Sequence, residues 1–428
     1  MRFAWLRRRW QHIAGLFAVL EGNAGVIVLT EAVAAPPHYW FTTYFPLYML
    51  ALGVSKLQVG WLASALLLMQ FVGTLFGGYA ADRWGRKRVL VVGDIICWGI
   101  PMLLYAIAQN PWYFLAGQLI NGLVYIVLPA FQCLFVEDVP IERRTAVFGV
   151  MQLLYSAGSL LTPVSGVIVA RMGIIAAGRL LAVLDLIALV GAAIVRQFTL
   201  RETTIGAEKM AAFAGQRPRA LVREYVEGLR AMARSRPLLI ILSVRLLDGF
   251  AVTMWTTYAA IFLTDARSLA LPESTVAAFP FVSASVSMVM ILFAAGRLRV
   301  ERTFSNLVLG RLLWLAAALC FVLSPPKVLW FAVAWSALNA VGVALFMPAI
   351  QSHWANLVGD RERAQVFSAG GALLALGALP AGPLAGALYM LSPMAPFLAA
   401  IAVQGIGLGL IVWARERPAL IATTGGTI

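Results

Sequence analysis

Long apolar runs alternate with short polar segments along this chain of 428 residues. A helix rises 1.5 Å per residue, so about 20 apolar residues cross the roughly 30 Å hydrocarbon core of a bilayer. The pattern predicts twelve such helices, numbered here as spans 1 to 12. They fall at residues 17–50, 57–81, 88–109, 112–136, 145–170, 174–196, 237–264, 274–296, 304–323, 328–352, 364–390 and 394–414.

Residues 197–236 interrupt the pattern, because they are polar and carry charges of both signs. They predict a cytoplasmic linker with one amphipathic helix at 219–234 that lies along the membrane surface. The predicted organisation is a first six-helix bundle at 1–196, a linker at 197–236 and a second six-helix bundle at 237–428.

The composition indicates a membrane protein without a large soluble domain. Hydrophobic residues make up 61% of the chain, charged residues only 12%, and the mean hydropathy is +0.85. Soluble domains carry roughly a quarter charged residues. The first apolar run follows a basic start, as in a signal peptide, but lacks a clear cleavage site and is expected to be retained.

The net charge of +14 is unevenly distributed along the chain. Of the 33 Lys and Arg residues, 26 lie in segments on one predicted side of the membrane and five on or near the other. This asymmetry follows the positive-inside rule and places both termini in the cytoplasm. It favours a bilayer rather than nucleic acid as the partner of the basic residues, and indicates a multi-pass protein of the plasma (inner) membrane.

One compact charged segment, residues 78–88, lies between spans 2 and 3. Its sequence GYAADRWGRKR matches the pattern G-x-x-x-D-[RK]-x-G-[RK]-[RK]. The matching positions are Gly78, Asp82, Arg83, Gly85, Arg86 and Lys87. This segment resembles the loop signature of the major facilitator superfamily of secondary transporters.

The resemblance implies an all-α fold of twelve transmembrane helices in two pseudo-symmetric six-helix bundles, with a substrate cavity between them. It also implies that the loop is a conformational latch. In that arrangement Asp82 lies near residues 364–368, at the start of span 11, and Arg86 bridges to Glu137 or Asp138. Gly78 is expected to let spans 2 and 11 pack closely, and Gly85 to let the loop turn.

The two halves of the sequence repeat weakly. The segment 142–148 can be aligned with 361–367, and Gly158 with Gly377, at an offset of 219 residues. Further upstream the offset is 217, which aligns Gly93 with Gly310. An offset of half the chain length is typical of a duplicated bundle.

Ionisable residues inside spans are candidates for function, because each is costly in a bilayer unless it is paired or hydrated. Glu31 in span 1 and Asp248 in span 7 align at the repeat offset of 217. The resemblance implies that spans 1 and 7 line the central cavity, so we expect both acids to face it and, together with Asp185 in span 6, to be candidates for proton coupling. For Asp185, simple buried pairing remains an alternative.

Arg245 lies one helical turn before Asp248 and can pair with that acid or with an anionic substrate. Mutual neutralisation of the two residues is the alternative interpretation. Asp94 and Arg311 also align at the repeat offset, and we expect them to make structural ion pairs near the cytoplasmic ends of spans 3 and 9.

Span 5 contains Gly158, Pro163 and Gly166, whose spacing is similar to an antiporter signature of the same superfamily, although Thr162 and Val167 depart from it. Close packing of small residues is the alternative. Polar and aromatic residues within other spans are candidates for the substrate cavity: Arg245, Asn23, Gln118, Asn121, Trp255, Tyr258 and Asn339.

The sequence contains no phosphate-binding loop, no nucleophile elbow and no zinc-protease helix. Its three cysteines lie in apolar runs and its three histidines are isolated from one another in sequence. We therefore expect neither an enzyme nor a bound metal or cofactor.

The predicted function is secondary active transport of a small molecule by alternating access, most simply proton-coupled export of amphipathic compounds by a monomer. The alternatives are proton-driven uptake of a sugar or other metabolite, and a membrane receptor or scaffold that transports nothing.

Overall fold

The structure is a computed structural model, and it describes residues 21–212, 219–293, 303–358 and 363–415. Within these ranges the chain is helical and contains no strand. In the first half, span 1 is Gly22–Ala51, span 2 is Lys56–Trp84, span 3 runs from Arg86 to Ala106 through a π-helical turn at Ile95–Gly99, and span 4 comprises Pro111–Gly122 and Val124–Val136.

Span 5 begins with the helix Ile141–Leu160 and continues into a helix at Pro163–Thr199. That second helix is broken at Gly173, whose φ of 72° and ψ of 164° are not helical. An unbroken helix over the 59 residues of Ile141–Thr199 would be about 88 Å long, far longer than one crossing of a bilayer needs. The break at Gly173 therefore separates span 5 from span 6, as the apolar pattern predicts.

The second half repeats this organisation. Span 7 is Arg236–Thr264, and span 8 is Ala278–Phe293, preceded by the 3₁₀ turn Glu273–Ala277. Span 9 is Thr303–Val322, span 10 is Leu329–Asn356, span 11 comprises Arg363–Ala378 and Ala381–Leu391, and span 12 is Ala395–Arg415.

Ten of these helical segments are long and apolar enough to cross a membrane, and one of the ten contains both span 5 and span 6. Span 1 is not among them, although it is 30 residues long. It carries Glu31, His38 and three internal prolines, which lower its hydropathy. With span 1 included, the described helices make up the twelve predicted spans.

In the described part of the linker, two helices follow span 6 along the chain. Arg219–Arg234 coincides with the predicted amphipathic helix. Thr204–Ala212 was not predicted.

Local sequence signals explain several helix ends. The side chain of Ser55 accepts a hydrogen bond from the backbone N–H of Gln58, and the Gln58 side chain accepts one from the backbone N–H of Ser55, so a capping box begins span 2. Gly85 has a φ of 86° between spans 2 and 3, a conformation that glycine adopts at low cost. The expected turn at Gly85 is present.

The apolar core differs between the two ends of the molecule. At the end where spans 1 and 2 connect, called the outer end after the predicted topology, one buried cluster contains residues of both halves, among them Phe41 and Tyr44 from span 1 and Met254 and Phe262 from span 7. At the opposite end, called the cytoplasmic end, the core divides into a cluster around spans 1, 3, 4 and 5 and another around spans 7, 9, 10 and 11. The two halves still meet there through Tyr225, whose hydroxyl donates to the Thr74 carbonyl of span 2 and accepts from Ser368 of span 11.

Candidate functional site

A cavity of about 320 Å³ lies inside the first bundle, bordered by spans 1, 3, 4, 5 and 6. Most of its lining is apolar or aromatic, from side chains such as Leu128 and Phe131. Four ionisable residues also border it, namely Glu31, His38, Asp94 and Arg196. All residues that line this cavity belong to the first half of the chain.

Arg196 of span 6 holds the polar part of this cavity together. Its Nη2 lies 2.6 Å from Glu31 Oε1, its Nη1 lies 2.7 Å from Asp94 Oδ2, and its Nε donates to Thr30 Oγ1 at 2.9 Å. The Tyr155 hydroxyl of span 5 donates to Glu31 Oε2 at 3.2 Å. We call Glu31, Asp94 and Arg196 the charged cluster.

The three members of the charged cluster differ in exposure. Arg196 is 4% exposed and Asp94 7%, whereas the Glu31 side chain is 18% exposed. Two carboxylates share a single guanidinium, so the cluster carries one negative charge that no partner within it balances when both acids are ionised. Glu31 is the acid that water in the cavity reaches most readily.

His38, which borders the same cavity nearer its outer end, belongs to a second polar pair. His38 Nδ1 lies 3.0 Å from Asp185 Oδ2, and the Asp185 side chain is fully buried. The histidine ring also meets Trp98 edge-on, with ring centroids 5.0 Å apart. Arg179, which lies between Gly173 and Asp185 on span 6, donates instead to the carbonyl of Ala108.

The corresponding acid of the second half is already neutralised. Asp248 pairs with Arg311 of span 9, and both side chains are largely buried. Arg245 lies over the ring of Trp354, with 5.1 Å between its guanidinium carbon and the ring centroid. Of the partners considered for Arg245, the structure does not show Asp248, because Arg311 binds that carboxylate.

Glu31 and Asp248 were both expected to face the central cavity, and the cavity that Glu31 borders is lined by first-half residues. Each acid is bound by an arginine of its own bundle, since a buried carboxylate is far less costly beside a guanidinium than alone. Asp94 pairs with Arg196 inside the membrane and not with a loop arginine. Arg196 was not among the predicted intramembrane charges, although its place at the end of apolar span 6 is visible in the sequence.

Most of the other predicted cavity residues have structural partners elsewhere. Asn23 binds Asp138 and the backbone of Arg201 at the cytoplasmic end. Gln118 accepts a hydrogen bond from the Tyr105 hydroxyl, and Asn121 donates to the carbonyl of Cys97.

In the second bundle, Trp255 packs in an aromatic cluster with Trp314, Phe321, Trp335 and Phe397. Asn339 is half-buried on span 10. Tyr258 lies at the junction of the bundles, where its hydroxyl donates to the carbonyl of Lys56 at 2.7 Å.

The outer end of the molecule is closed by contacts between the two halves. Thr162 Oγ1 donates to the carbonyl of Ala277 at 3.1 Å, and the Tyr44 hydroxyl donates to the carbonyl of Ser274, also at 3.1 Å. Span 5 is interrupted between Leu160 and Pro163, where Thr162 makes its contact. Gly166 allows the backbone of Ser274 to approach, since a Cβ at Gly166 would lie 2.7 Å from its carbonyl oxygen.

Gly158 packs on span 1, where a Cβ would lie 3.3 Å from that of Ala35. Gly158 and Gly166 thus pack at the interfaces with span 1 and with the turn before span 8, and Pro163 is the first residue of the helix that follows the interruption.

The sequence of the chain matches a known protein family. The sequence model of the Major Facilitator Superfamily matches residues 27–306. The chain belongs to the major facilitator superfamily. It is a multi-pass membrane transporter of that superfamily and not an enzyme.

Two curated relatives of this superfamily member match it over nearly their whole length. "Multidrug resistance protein 2" of Bacillus subtilis (strain 168) is 22% identical over 406 residues, which are 94% of this chain and 96% of that protein. "Quinolone resistance protein NorA" of Staphylococcus aureus (strain Mu50 / ATCC 700699) is 22% identical over 382 residues, covering 87% and 92%. Among solved structures, the nucleoside transporter NupG matches the fold with a TM-score of 0.68 at 14% identity, over 92% of this chain and 99% of that one.

The superfamily loop is held by the linker that follows span 6. Arg86, only 1% exposed, lies 2.9 Å from Glu137 Oε2 through its Nε, so the expected bridge to the end of span 4 is present. Glu202 accepts hydrogen bonds from the backbone N–H groups of Arg86 and Lys87 at 3.1 and 3.0 Å. This carboxylate caps the start of span 3, where unpaired N–H groups favour a negative charge.

Asp82 of this transporter has two cationic neighbours in the described structure. Its Oδ1 lies 3.4 Å from Arg86 Nη2, and its Oδ2 lies 3.2 Å from Lys209 Nζ on the linker helix. Asp82 was also expected to lie near residues 364–368 at the start of span 11. The side chains of residues 364 and 365 lie outside the described part of the structure, so this contact stays a prediction.

Gly78 and Arg83 are the remaining positions of the loop signature. A Cβ at Gly78 would meet nothing within 4 Å, so Gly78 is not the close contact between spans 2 and 11. That role belongs to Gly60, whose Cβ would overlap the backbone of Gly382. Arg83 binds the Tyr79 hydroxyl on its own helix.

The Glu137 carboxyl lies outside the spans and shows how the loop is stabilised. Burial raises its pKa, but hydrogen bonds from Thr203 and Arg86 outweigh that effect and hold the pKa below the ordinary value for glutamate. Its ionised form therefore stabilises the junction of loop, span 4 and linker at neutral pH.

Proposed function

We propose that this transporter exports small amphipathic molecules in exchange for protons, and that Glu31 is the residue at which proton and substrate compete. The observation that carries the proposal is the sharing of Arg196 between Glu31 and Asp94 at the edge of the cavity. The cluster has one excess negative charge when both acids are ionised. Either a proton or a positively charged substrate can neutralise it.

The remaining lining favours amphipathic compounds. Apolar and aromatic side chains form most of the cavity wall, so an organic molecule can bury its rings there. A cationic group on the same molecule would lie beside Glu31. Export of such compounds agrees with the names of the two relatives, which refer to multidrug and quinolone resistance.

The second half offers no comparable site for proton exchange among its described residues. Asp248 and Arg311 balance each other one to one. Losing the charge of either would leave the other buried without compensation, which costs about 3–5 kcal/mol. Asp248, predicted as a coupling residue, is thus a weaker candidate than Glu31.

In the proposed orientation both termini and the loop 82–88 face the cytoplasm, where 26 basic residues lie. The loop, with Glu137 and Asp138, is then a latch on the cytoplasmic side. Glu202 and Lys209 of the linker are additional members of it. The linker follows span 6 directly, so movement of the bundle and of the latch is coupled.

The test uses inside-out membrane vesicles with an acidic lumen and ethidium, a fluorescent amphipathic cation, as the probe. An exporter that exchanges protons for ethidium accumulates the dye in the lumen, and accumulation collapses when the proton gradient is dissipated. Glu31→Gln is expected to abolish gradient-driven accumulation, and the ethidium exchange that remains at equal pH is expected to lose its dependence on that pH, because the site no longer chooses between a proton and the cation. Glu273→Gln, which changes an exposed acid at the outer end, is the matched control and should behave as wild type.

Two outcomes contradict the proposal. Gradient-driven accumulation that is unchanged in Glu31→Gln removes Glu31 from coupling. Ethidium accumulation only in right-side-out vesicles with a neutral lumen and an acidic medium indicates proton-driven uptake instead of export.

A further inference from the structure

His38 and Asp185 form a polar pair inside the first bundle that the exchange at Glu31 does not use. Asp185 is 0% exposed, and one of its oxygens is bound by His38 Nδ1 at 3.0 Å. Its other oxygen, Oδ1, is buried and has no hydrogen-bond partner among the described residues. A fully buried carboxylate with a single partner is costly unless that partner carries a compensating charge or the carboxylate itself is protonated.

The pair therefore holds a proton in either of two arrangements. The proton lies on the imidazole, giving an ion pair with Asp185, or on the carboxyl group, giving a neutral pair. In both arrangements the pair as a whole is neutral, and removal of the proton leaves one uncompensated negative charge in the interior. The imidazole has a second nitrogen, so it can accept a proton on one side of its ring and release one on the other.

The position of the pair connects it with the charged cluster. His38 follows Glu31 by seven residues on span 1, which is two helical turns or about 10 Å towards the outer side. Glu31, Ala34, Ala35 and His38 occur at the i, i+3, i+4 and i+7 positions of one helix face, and all four line the same cavity. Between the two acidic sites the cavity wall on span 1 thus consists of alanines, which leave room for water.

We propose that His38 and Asp185 form a second proton-holding site that passes protons between the outer side and Glu31 through this cavity. The inference rests on the proposed proton exchange at Glu31 and adds a relay to it. A proton taken up by the pair from the outer side moves to the Glu31 carboxylate, and Glu31 releases it to the cytoplasm. The pair is then reloaded from outside, so charge and protons balance over one cycle.

The charged and titratable groups around His38 agree with a relay to Glu31. Span 4 contributes only apolar side chains to the cavity. Span 1 itself contributes Glu31 and Tyr39. The neighbouring spans contribute Asp94 (span 3), Tyr155 (span 5), and Asp185 and Arg196 (span 6). Glu31 and Asp94 both border the cavity and share Arg196. Glu31 has the greater exposure of the two, so it is the better acceptor for a proton that crosses the cavity.

The first experiment observes the histidine without transport. The protein is labelled with ¹⁵N-histidine in a His12→Gln/His353→Gln background, so that His38 gives the only ring signals. At pH 7.5 the ring ¹⁵N shifts are expected to show either a protonated ring or a neutral ring whose Nδ1 accepts a hydrogen bond from a protonated Asp185 carboxyl, and in the Asp185→Asn variant a neutral ring without that proton. Ring shifts that are the same in both proteins would overturn the proposal.

The second experiment measures proton movement during ethidium transport in proteoliposomes with a pH-sensitive dye in the lumen. His38→Gln keeps a hydrogen-bond donor for Asp185 but cannot relay a proton. The number of protons moved per ethidium exchanged is expected to fall at least about tenfold, whatever effect the substitution has on ethidium binding in the cavity. His353→Gln changes a histidine of the second half and is the matched control.

The outcomes separate the two proposals. A wild-type proton rate in folded His38→Gln overturns the relay and leaves Glu31 as the exchange site. A proportional loss of proton movement and ethidium exchange in His38→Gln, which leaves the number of protons per ethidium unchanged, also overturns it, because it assigns His38 to substrate binding and not to the relay. If the wild-type protein itself moves no protons with ethidium, the proposed export function fails, and the ¹⁵N experiment still decides whether the pair holds a proton.

Discussion

Lys56 Nζ lies 2.6 Å from Asp265 Oδ2, and this ion pair joins the first residue of span 2 to the residue that follows span 7. The Tyr389 hydroxyl of span 11 donates to the same carboxylate oxygen at 3.0 Å. Tyr258 stacks on Tyr389, with ring centroids 5.1 Å apart, and also binds the Lys56 carbonyl. We call these four residues the outer lock, because they hold the two halves together where the core is continuous.

The outer lock should control opening towards the outside. In Asp265→Asn the ion pair with Lys56 is lost, and the equilibrium is expected to shift towards an outward-open arrangement. Spin labels at Gln109 of the first half and Pro326 of the second half report the separation at the outer end. We expect a longer distance population in Asp265→Asn and not in the control Glu273→Gln; identical distributions in all three proteins would contradict the lock.

The same measurement tests the pH dependence of the lock. Burial raises the pKa of Asp265, but hydrogen bonds from Lys56, Tyr389 and the backbone N–H of Arg267 outweigh it, so the pKa lies below the usual value. An acid with a depressed pKa contributes stability above its unfolded pKa of about 3.9 and loses it only as the pH falls through the lower folded value. The wild-type distance should therefore be the same at pH 7.5 and pH 5; a longer population at pH 5 would mean that Asp265 does not keep its charge there.

Gly60 and Gly78 form a matched pair on span 2. A Cβ at Gly60 would overlap the backbone of Gly382, whereas a Cβ at Gly78 would meet nothing within 4 Å. Gly60→Ala is thus expected to force spans 2 and 11 apart and to lower the thermal unfolding temperature by several degrees, while Gly78→Ala should change it little. Equal unfolding temperatures for the two variants would show that the close approach at Gly60 does not contribute to stability.

Arg196 should be a major contributor to the stability of the first bundle. Three of its nitrogens bind three different partners, Thr30, Asp94 and Glu31. Arg196→Gln leaves two carboxylates without a cation and is expected to cost about 3–5 kcal/mol. Adding Asp94→Asn should recover part of this loss, because one of the unpaired charges is removed.

Thermal unfolding in detergent measures the stability of Arg196→Gln with and without Asp94→Asn. Arg196→Lys keeps the positive charge but not the planar guanidinium, so its stability should fall between those of the wild type and Arg196→Gln. An Arg196→Gln protein as stable as wild type would be inconsistent with the charged cluster as described.

Asp248 and Arg311 allow stability to be separated from coupling. Asp248→Asn alone leaves Arg311 buried without a counter-charge, and we expect poor folding. The double variant Asp248→Asn/Arg311→Met removes both charges and should fold better than the single variant and still accumulate ethidium in response to a proton gradient. A well-folded double variant that exchanges ethidium but has lost gradient-driven accumulation would instead return Asp248 to the coupling mechanism.

The orientation of the protein can be tested with single cysteines in a background without Cys97, Cys133 and Cys320. Glu208→Cys lies in an exposed linker helix, and Pro326→Cys in the loop between spans 9 and 10. In intact cells an impermeant thiol reagent should label position 326 and not position 208, because basic segments stay in the cytoplasm. The opposite pattern would reverse the assigned topology.

The hydrophobic pattern determined most of the architecture. Runs long enough to cross a bilayer must form helices, since no other single-segment structure satisfies its own backbone hydrogen bonds there. The number of spans, the helix at Arg219–Arg234 and the bridge from Arg86 to Glu137 could all be predicted from sequence and family resemblance. Even the division of residues 141–199 into two spans follows from their length, because 59 residues are too many for one crossing.

The partners of the charged residues were decided only by the tertiary structure. Sequence spacing brings Arg245 to Asp248, one turn away, but the packing of span 9 on the second bundle brings Arg311 closer. Arg196 follows Glu31 by 165 residues, and His38 precedes Asp185 by 147. A sequence shows which charges enter the membrane, because their cost depends on residue type and depth. It does not show which charges meet, because that depends on how each helix is rotated and packed against its neighbours.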